Sequence, residues 1–138
     1  MSVAPDYPSL ASAREHLKDG FDVAGSGRGV LMSRRGSMAA VVNADQRRAF
    51  LARTVPAGVR VFSEDGRVVA LMEGEPFVAE GGTIDEAIDD LVEQLREYAE
   101  DWHDRLYLAP NHEQRWGLVT LVRLSTDAQL REWIESGS

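Results

Sequence analysis

This chain of 138 residues predicts an α+β fold in two parts, and three observations predict it. Two apolar runs broken by a short Gly-containing turn occur twice, over residues 30–42 and 59–72, and each reads as a β-hairpin. After Thr83, apolar residues recur at alternating steps of four and three, the mark of an amphipathic helix. The charge also divides along the chain. Residues 1–60 hold nine Lys/Arg against five Asp/Glu, a net of +4, whereas residues 61–138 hold six against eighteen, a net of −12. The expected organisation is a small αββα domain over residues 1–52, a linker at 53–58, and a second α+β domain over 59–138 built from a hairpin, a long helix and a returning strand.

In the first part, Leu10, Ala13, Leu17 and Phe21 have helical spacing, so a helix is expected over residues 11–23, weakened in its last turn by Gly20. Before it, Pro5 and Pro8 and the lack of periodicity predict a frayed arm. Val30-Leu31-Met32 and residues 38–42 are the strands of the first hairpin, and Arg34 and Arg35 stand at its tip. A third helix is expected over 45–52, where Arg47 and Arg48 add to the basic half. The run Gly25-Ser26-Gly27-Arg28-Gly29 could be taken for a phosphate cradle, but it follows a helix and opens a strand. A dinucleotide fingerprint has the reverse order, so a connector is the better reading.

In the second part, Arg53 to Gly58 carries Pro56 and Gly58 and reads as the linker. Asp65-Gly66 turns the second hairpin, 77–79 adds a short strand, and Thr83 with Glu86 forms a capping box. The helix from there to about Leu106 has the seam Ile84, Ile88, Leu91, Leu95, Tyr98 and Trp102, widened by Ala87, Val92 and Ala99. A second stripe, Glu86, Asp90, Glu93, Glu97, Asp101 and Asp104, lines another face with carboxylate. A polar loop, a strand at 118–124 and a last helix capped near Ser125-Thr126-Asp127 complete the chain.

The spacing across residues 9–52 resembles the Phd/YefM (prevent-host-death) antitoxins. Ala13-Arg14-Glu15-His16-Leu17 takes the family's Ala-Arg-x-x-Leu helix and Gly27 its loop. Ser33-Arg34-Arg35-Gly36 takes its turn, and the apolar strands lie on either side. His16 stands where the family usually has Asn, and Met38 where it usually has Pro. More weakly, residues 59–107 are similar to the HicB-like antitoxin domain. That match rests on Gly81 or Gly82, Thr83, Ile84, Glu86 and Ala87 after a strand pair, with 117–124 as the returning strand. These resemblances imply a type II antitoxin that binds operator DNA as a homodimer, represses its own operon and neutralises a cognate toxin. An interaction module of the same fold without DNA binding is the alternative.

The residues expected to meet DNA phosphates are Arg14, Lys18, Arg34 and Arg35. The acidic stripe Glu93, Glu97, Asp101 and Asp104, with Trp102 and Trp116 as aromatic anchors, is the expected surface for a basic protein partner. The bland reading is a solvated helix face with Trp102 in the core. No Gly-x-Ser-x-Gly elbow, Cys nucleophile or phosphate loop occurs, and His16, His103 and His112 lack metal-ligand spacing. The expectation is a protein that is not an enzyme and needs no cofactor or metal. With 43% hydrophobic residues but no bilayer-length apolar run, it is expected to be cytoplasmic and free of membrane partners.

Overall fold

The computed structural model describes residues 3–136, which fall into two compact units, Met1–Arg47 and Arg48–Ser138. The division runs through helix α3 (Ala44–Thr54) rather than through a linker.

In the first unit the expected single helix is two, α1 (Leu10–Glu15) and α2 (Leu17–Gly25). Ser9 caps α1 by accepting the Ser12 N–H at 3.1 Å. The break falls at His16, whose backbone leaves the helical region (φ −112°, ψ 21°) and whose Nδ1 lies 2.8 Å from the Ser12 carbonyl. Strands β1 (Val30–Arg34) and β2 (Ser37–Val41) form an antiparallel hairpin. Its two-residue turn has Arg35 at φ 51° and Gly36 at φ 82°, as the right-handed twist of the flanking strands requires. The loop is therefore shorter than expected, since Ser33, Arg34 and Ser37 belong to the strands.

The arm expected to fray is instead pinned to β1. Tyr7 N–H donates to the Leu31 carbonyl (3.0 Å) and Ser33 N–H to the Tyr7 carbonyl (2.9 Å). Asp6 accepts the Leu31 N–H, and Ser33 Oγ donates to the Pro8 carbonyl. These bonds occupy the free edge of β1, which would otherwise be left to water or another chain.

In the second unit, β3 (Val59–Glu64), β4 (Arg67–Met72) and β5 (Val78–Gly81) form an antiparallel sheet in that order. Helix α4 (Ile84–Asp104) packs on it, chiefly over β5 and β4, followed by two short 3-10 turns, α5 (Trp116–Leu124) and α6 (Asp127–Ser136). Thr83 Oγ1 accepts the Glu86 N–H and Glu86 Oε2 accepts the Gly82 N–H, the reciprocal cap that the sequence announces. Ala87, Ile88, Leu91, Val92, Leu95 and Ala99 are buried against Ala70, Met72 and Ala79 of the sheet and against Leu118, Val119, Leu121, Val122, Leu130, Trp133 and Ile134 of the last two helices. Burial of this kind is the main stabilising term for such a unit, at roughly 25 cal/mol per Å² of apolar surface removed from water. Ile84, assigned to that seam, is 56% exposed and does not take part.

Two expectations are corrected here. Residues 118–124 are not a returning strand but the body of α5. Its buried positions, Leu118, Val119, Leu121 and Val122, follow a helical face, and a short apolar run reads equally well as either element until its neighbours are known. The β5 edge, beside which a returning strand would lie next to α4, is closed by that helix: Asp90 Oδ2 accepts the Glu80 N–H (3.2 Å) and Gln94 Nε2 donates to the Val78 carbonyl (2.9 Å). The second correction concerns residues 53–58, expected as a linker. Arg53 and Thr54 close α3, Ala57 is buried in the core, and Trp133 Nε1 donates to the Val55 carbonyl at 2.9 Å.

Candidate nucleic-acid and partner interfaces

The first unit carries exposed cations on short, well-braced elements. Arg34 ends β1 and Arg35 occupies the turn, so both project from the hairpin tip. The preceding residue, Ser33, is held by the arm through both its backbone N–H and its hydroxyl, which fixes the base of that tip. Arg14 is exposed in the last turn of α1, which packs beside β1. Lys18 differs from the other three, because its Nζ is 2.9 Å from Asp22 one turn along α2. An exposed pair of this kind is worth little to stability, but it leaves less net charge for a phosphate. Arg28, which the sequence did not single out, is another exposed cation, with Nε 3.1 Å from Ser26 Oγ.

The same unit leaves much apolar surface uncovered. Leu17 and Phe21 of α2 are 64% and 72% exposed, and Phe21 borders a shallow cleft with Ala24, Val41 and Val42. Val30 is buried, Met32 and Val41 are half-buried, and Ala39 is exposed.

In the second unit the acidic stripe divides by role. Glu86 and Asp90 are engaged in capping the helix and closing the β5 edge. Glu93, Glu97 and Asp104 are exposed and, among the described residues, form no ion pair, whereas Asp101 lies 3.8 Å from Arg105. Glu93 and Glu97 share a groove with Glu100, Asp89 and two arginines. Both arginines are already committed. Arg96 donates to the Val122 and Ser125 carbonyls and to Asp127, tying the end of α5 to the start of α6, while Arg131 bridges Asp85 and Asp89. The groove therefore presents an excess of carboxylate.

The two tryptophans also part company. Trp102 is half-buried against the core, and its Nε1 donates to the His112 carbonyl at 2.8 Å, so it anchors the loop after α4. Trp116 is 55% exposed at the start of α5, and Tyr107 and Leu108 are exposed on the loop before it. Tyr98 Oη lies 2.8 Å from His112 Nδ1. Burial pushes the Tyr98 phenol above its ordinary value of 10.0, with the Arg115 charge pulling it down and Glu75 pushing it up. Among the described residues no group of three or more His, Asp or Glu is placed to hold a metal ion. Among the same residues, no helix is long and apolar enough to cross a membrane.

No protein-family model matches the sequence, and no curated protein matches it. Among solved structures, the chain is similar to the antitoxin part of a proposed toxin/antitoxin system from Syntrophomonas wolfei subsp. wolfei, with a TM-score of 0.78 at 20% identity. The match covers 93% of this chain and 95% of that one, so both units share its fold.

Proposed function

We propose that this chain is the antitoxin of a type II toxin–antitoxin system. In this reading the basic first unit pairs with a second copy and binds operator DNA, repressing its own operon, while the acidic second unit captures and blocks a cognate toxin in the cytoplasm. The observation that carries it is the similarity, across nearly the whole chain, to the antitoxin part of a proposed toxin/antitoxin system. The motif spacing of residues 9–52, close to that of Phd/YefM antitoxins, and the HicB-like pattern after Gly81 point the same way. Arg14, Arg34 and Arg35 are free to meet phosphates, with Lys18 contributing less because of Asp22. Leu17, Phe21 and Val42 supply apolar surface that pairing of two first units would bury.

A second reading, an interaction module that has lost DNA binding, is favoured by the Lys18–Asp22 pair alone. Fluorescence anisotropy with DNA from immediately upstream of the gene separates the two. Antitoxin function of the repressor kind gives tight binding that weakens steeply with salt. An equal and weak response to that DNA and to random duplex rejects the operator-binding half of the proposal.

A further inference from the structure

The two edges of the second sheet are treated differently. On β5, the outward backbone groups Glu80 N–H and Val78 C=O are satisfied by Asp90 and Gln94 of α4, which also bond each other at 3.2 Å. On β3, the pairing of Glu64 with Arg67 across the two-residue turn directs the backbone of Glu64, Phe62 and Arg60 toward β4. Val59, Val61 and Ser63 therefore point their N–H and C=O groups away from the sheet, and among the described residues nothing bonds them. The strand reads Val-Arg-Val-Phe-Ser-Glu, with no proline, bulge or lysine to discourage pairing. Val61 and Phe62 are 43% and 37% exposed on its two faces.

We infer that the β3 edge is an interface between two copies of this chain, joined antiparallel about a twofold axis at Phe62 to make one six-stranded sheet. The sequence of the strand is complementary to itself in this register. Val61 stands opposite Ser63 of the second copy, so the outward backbone groups of both residues meet their counterparts. On the outer face, Arg60 stands opposite Glu64 of the second copy, and the two Phe62 rings pair across the axis at a position where strands approach closely. Arg60 already lies over the Phe62 ring of its own strand, 5.8 Å from its centroid, with its Nε 3.2 Å from Glu73 of the same chain; that exposed pair is worth little, and the guanidinium is on the face where Glu64 of the second copy would arrive. Opposite charges fall together twice and like charges never face each other, which selects a second copy over a foreign strand. This interface is distinct from pairing of the first units and does not rest on it; a chain carrying both associates beyond a dimer.

The absence of cysteine allows a direct test. In the full-length protein, Phe62→Cys places two thiols across the axis in a closely spaced pair, suited to a disulfide. Under mild oxidation it should become a covalent dimer at least on the order of tenfold faster than Val78→Cys, an exposed residue on the closed β5 edge, because pairing raises the effective thiol concentration. Val61→Cys, which faces Ser63 in this register, should be slower than Phe62→Cys. In parallel, Arg60→Glu should lower the assembly mass at least about twofold by light scattering, and the double variant Arg60→Glu with Glu64→Arg should restore it. Crosslinking of Phe62→Cys no faster than of Val78→Cys, or a mass indifferent to Arg60→Glu, overturns the interface. Faster crosslinking at Val61 than at Phe62 overturns the register.

Discussion

The Tyr7 ring rests on Gly20: a Cβ added to that glycine would sit 3.2 Å from Tyr7 Cε2 and 3.8 Å from Val30 Cγ1. Gly20 is thus in α2 for close approach, and the arm it admits supplies the edge partner of β1. Tyr7 also stacks on His16, with ring centroids 5.3 Å apart and planes 9° from parallel. Gly20→Leu should drive the arm off and cost roughly 1–3 kcal/mol, as overpacking usually does. Denaturant unfolding would register the loss, and cleavage of the arm by added protease should accelerate. Unchanged stability and protection would mean that the arm does not brace the hairpin.

Arg35 holds a left-handed backbone (φ 51°) in the hairpin turn, a conformation that glycine adopts freely. Arg35→Gly should therefore leave the fold as stable or more stable, by about 1 kcal/mol, while weakening DNA binding. With the hairpin tip against DNA, the log–log salt slope should also fall by about 0.9 for each phosphate no longer neutralised. A variant that gains stability and keeps both affinity and slope would remove Arg35 from the DNA-facing surface.

At the start of α4, the two capping partners and a glycine can be separated by mutation. Thr83→Ala removes one side-chain acceptor and should cost about 1 kcal/mol. Gly81→Ala should cost more, because a Cβ there would lie 2.5 Å from Glu86 Cβ and 2.7 Å from the Ala87 backbone nitrogen. Chemical denaturation that ranks these two in the opposite order would contradict the packing described for β5 against α4.

The raised Tyr98 pKa sets the sign of an alkaline effect. Above pH 10 the unfolded chain loses this proton first, so the folded state holds more protons and stability falls as pH rises. Tyr98→Phe should flatten that fall, since the phenylalanine cannot ionise. Equal alkaline slopes for the two proteins, measured by urea unfolding between neutral and strongly alkaline pH, would show that burial of the Tyr98 phenol contributes nothing there.

Much of the architecture was legible because local signals agreed with burial. The Thr83–Glu86 box opened a helix, Asp65-Gly66 turned a hairpin, and Ala87 to Ala99 carried a face that the core uses. The failures have physical causes. His16 looks like any mid-helix residue, and only its backbone angles reveal the break. The arm had no periodicity to read, because Tyr7 is held by a single strand-like bridge and by a glycine thirteen residues on. The run from Leu118 to Leu124 is rich in strand-favouring residues, yet packing against α4 decides its form. For the surfaces, charge patterning picks out the hairpin arginines and the acidic stripe, and the cap made by Glu86 is local enough to read from the sequence. That Asp90 serves a sheet edge is set by the tertiary fold, while the pairing of Lys18 with Asp22, one turn away on the same helix, is a local contact the charge pattern alone does not single out.

Co-expression with the product of the adjacent gene tests the proposed neutralisation of a toxin by this chain. The neighbouring product should arrest growth, the full-length chain should relieve the arrest and copurify with it, and Glu93→Lys with Glu97→Lys should weaken both effects without unfolding the protein. An arrest that the wild-type chain leaves untouched, with no complex recovered, would contradict it.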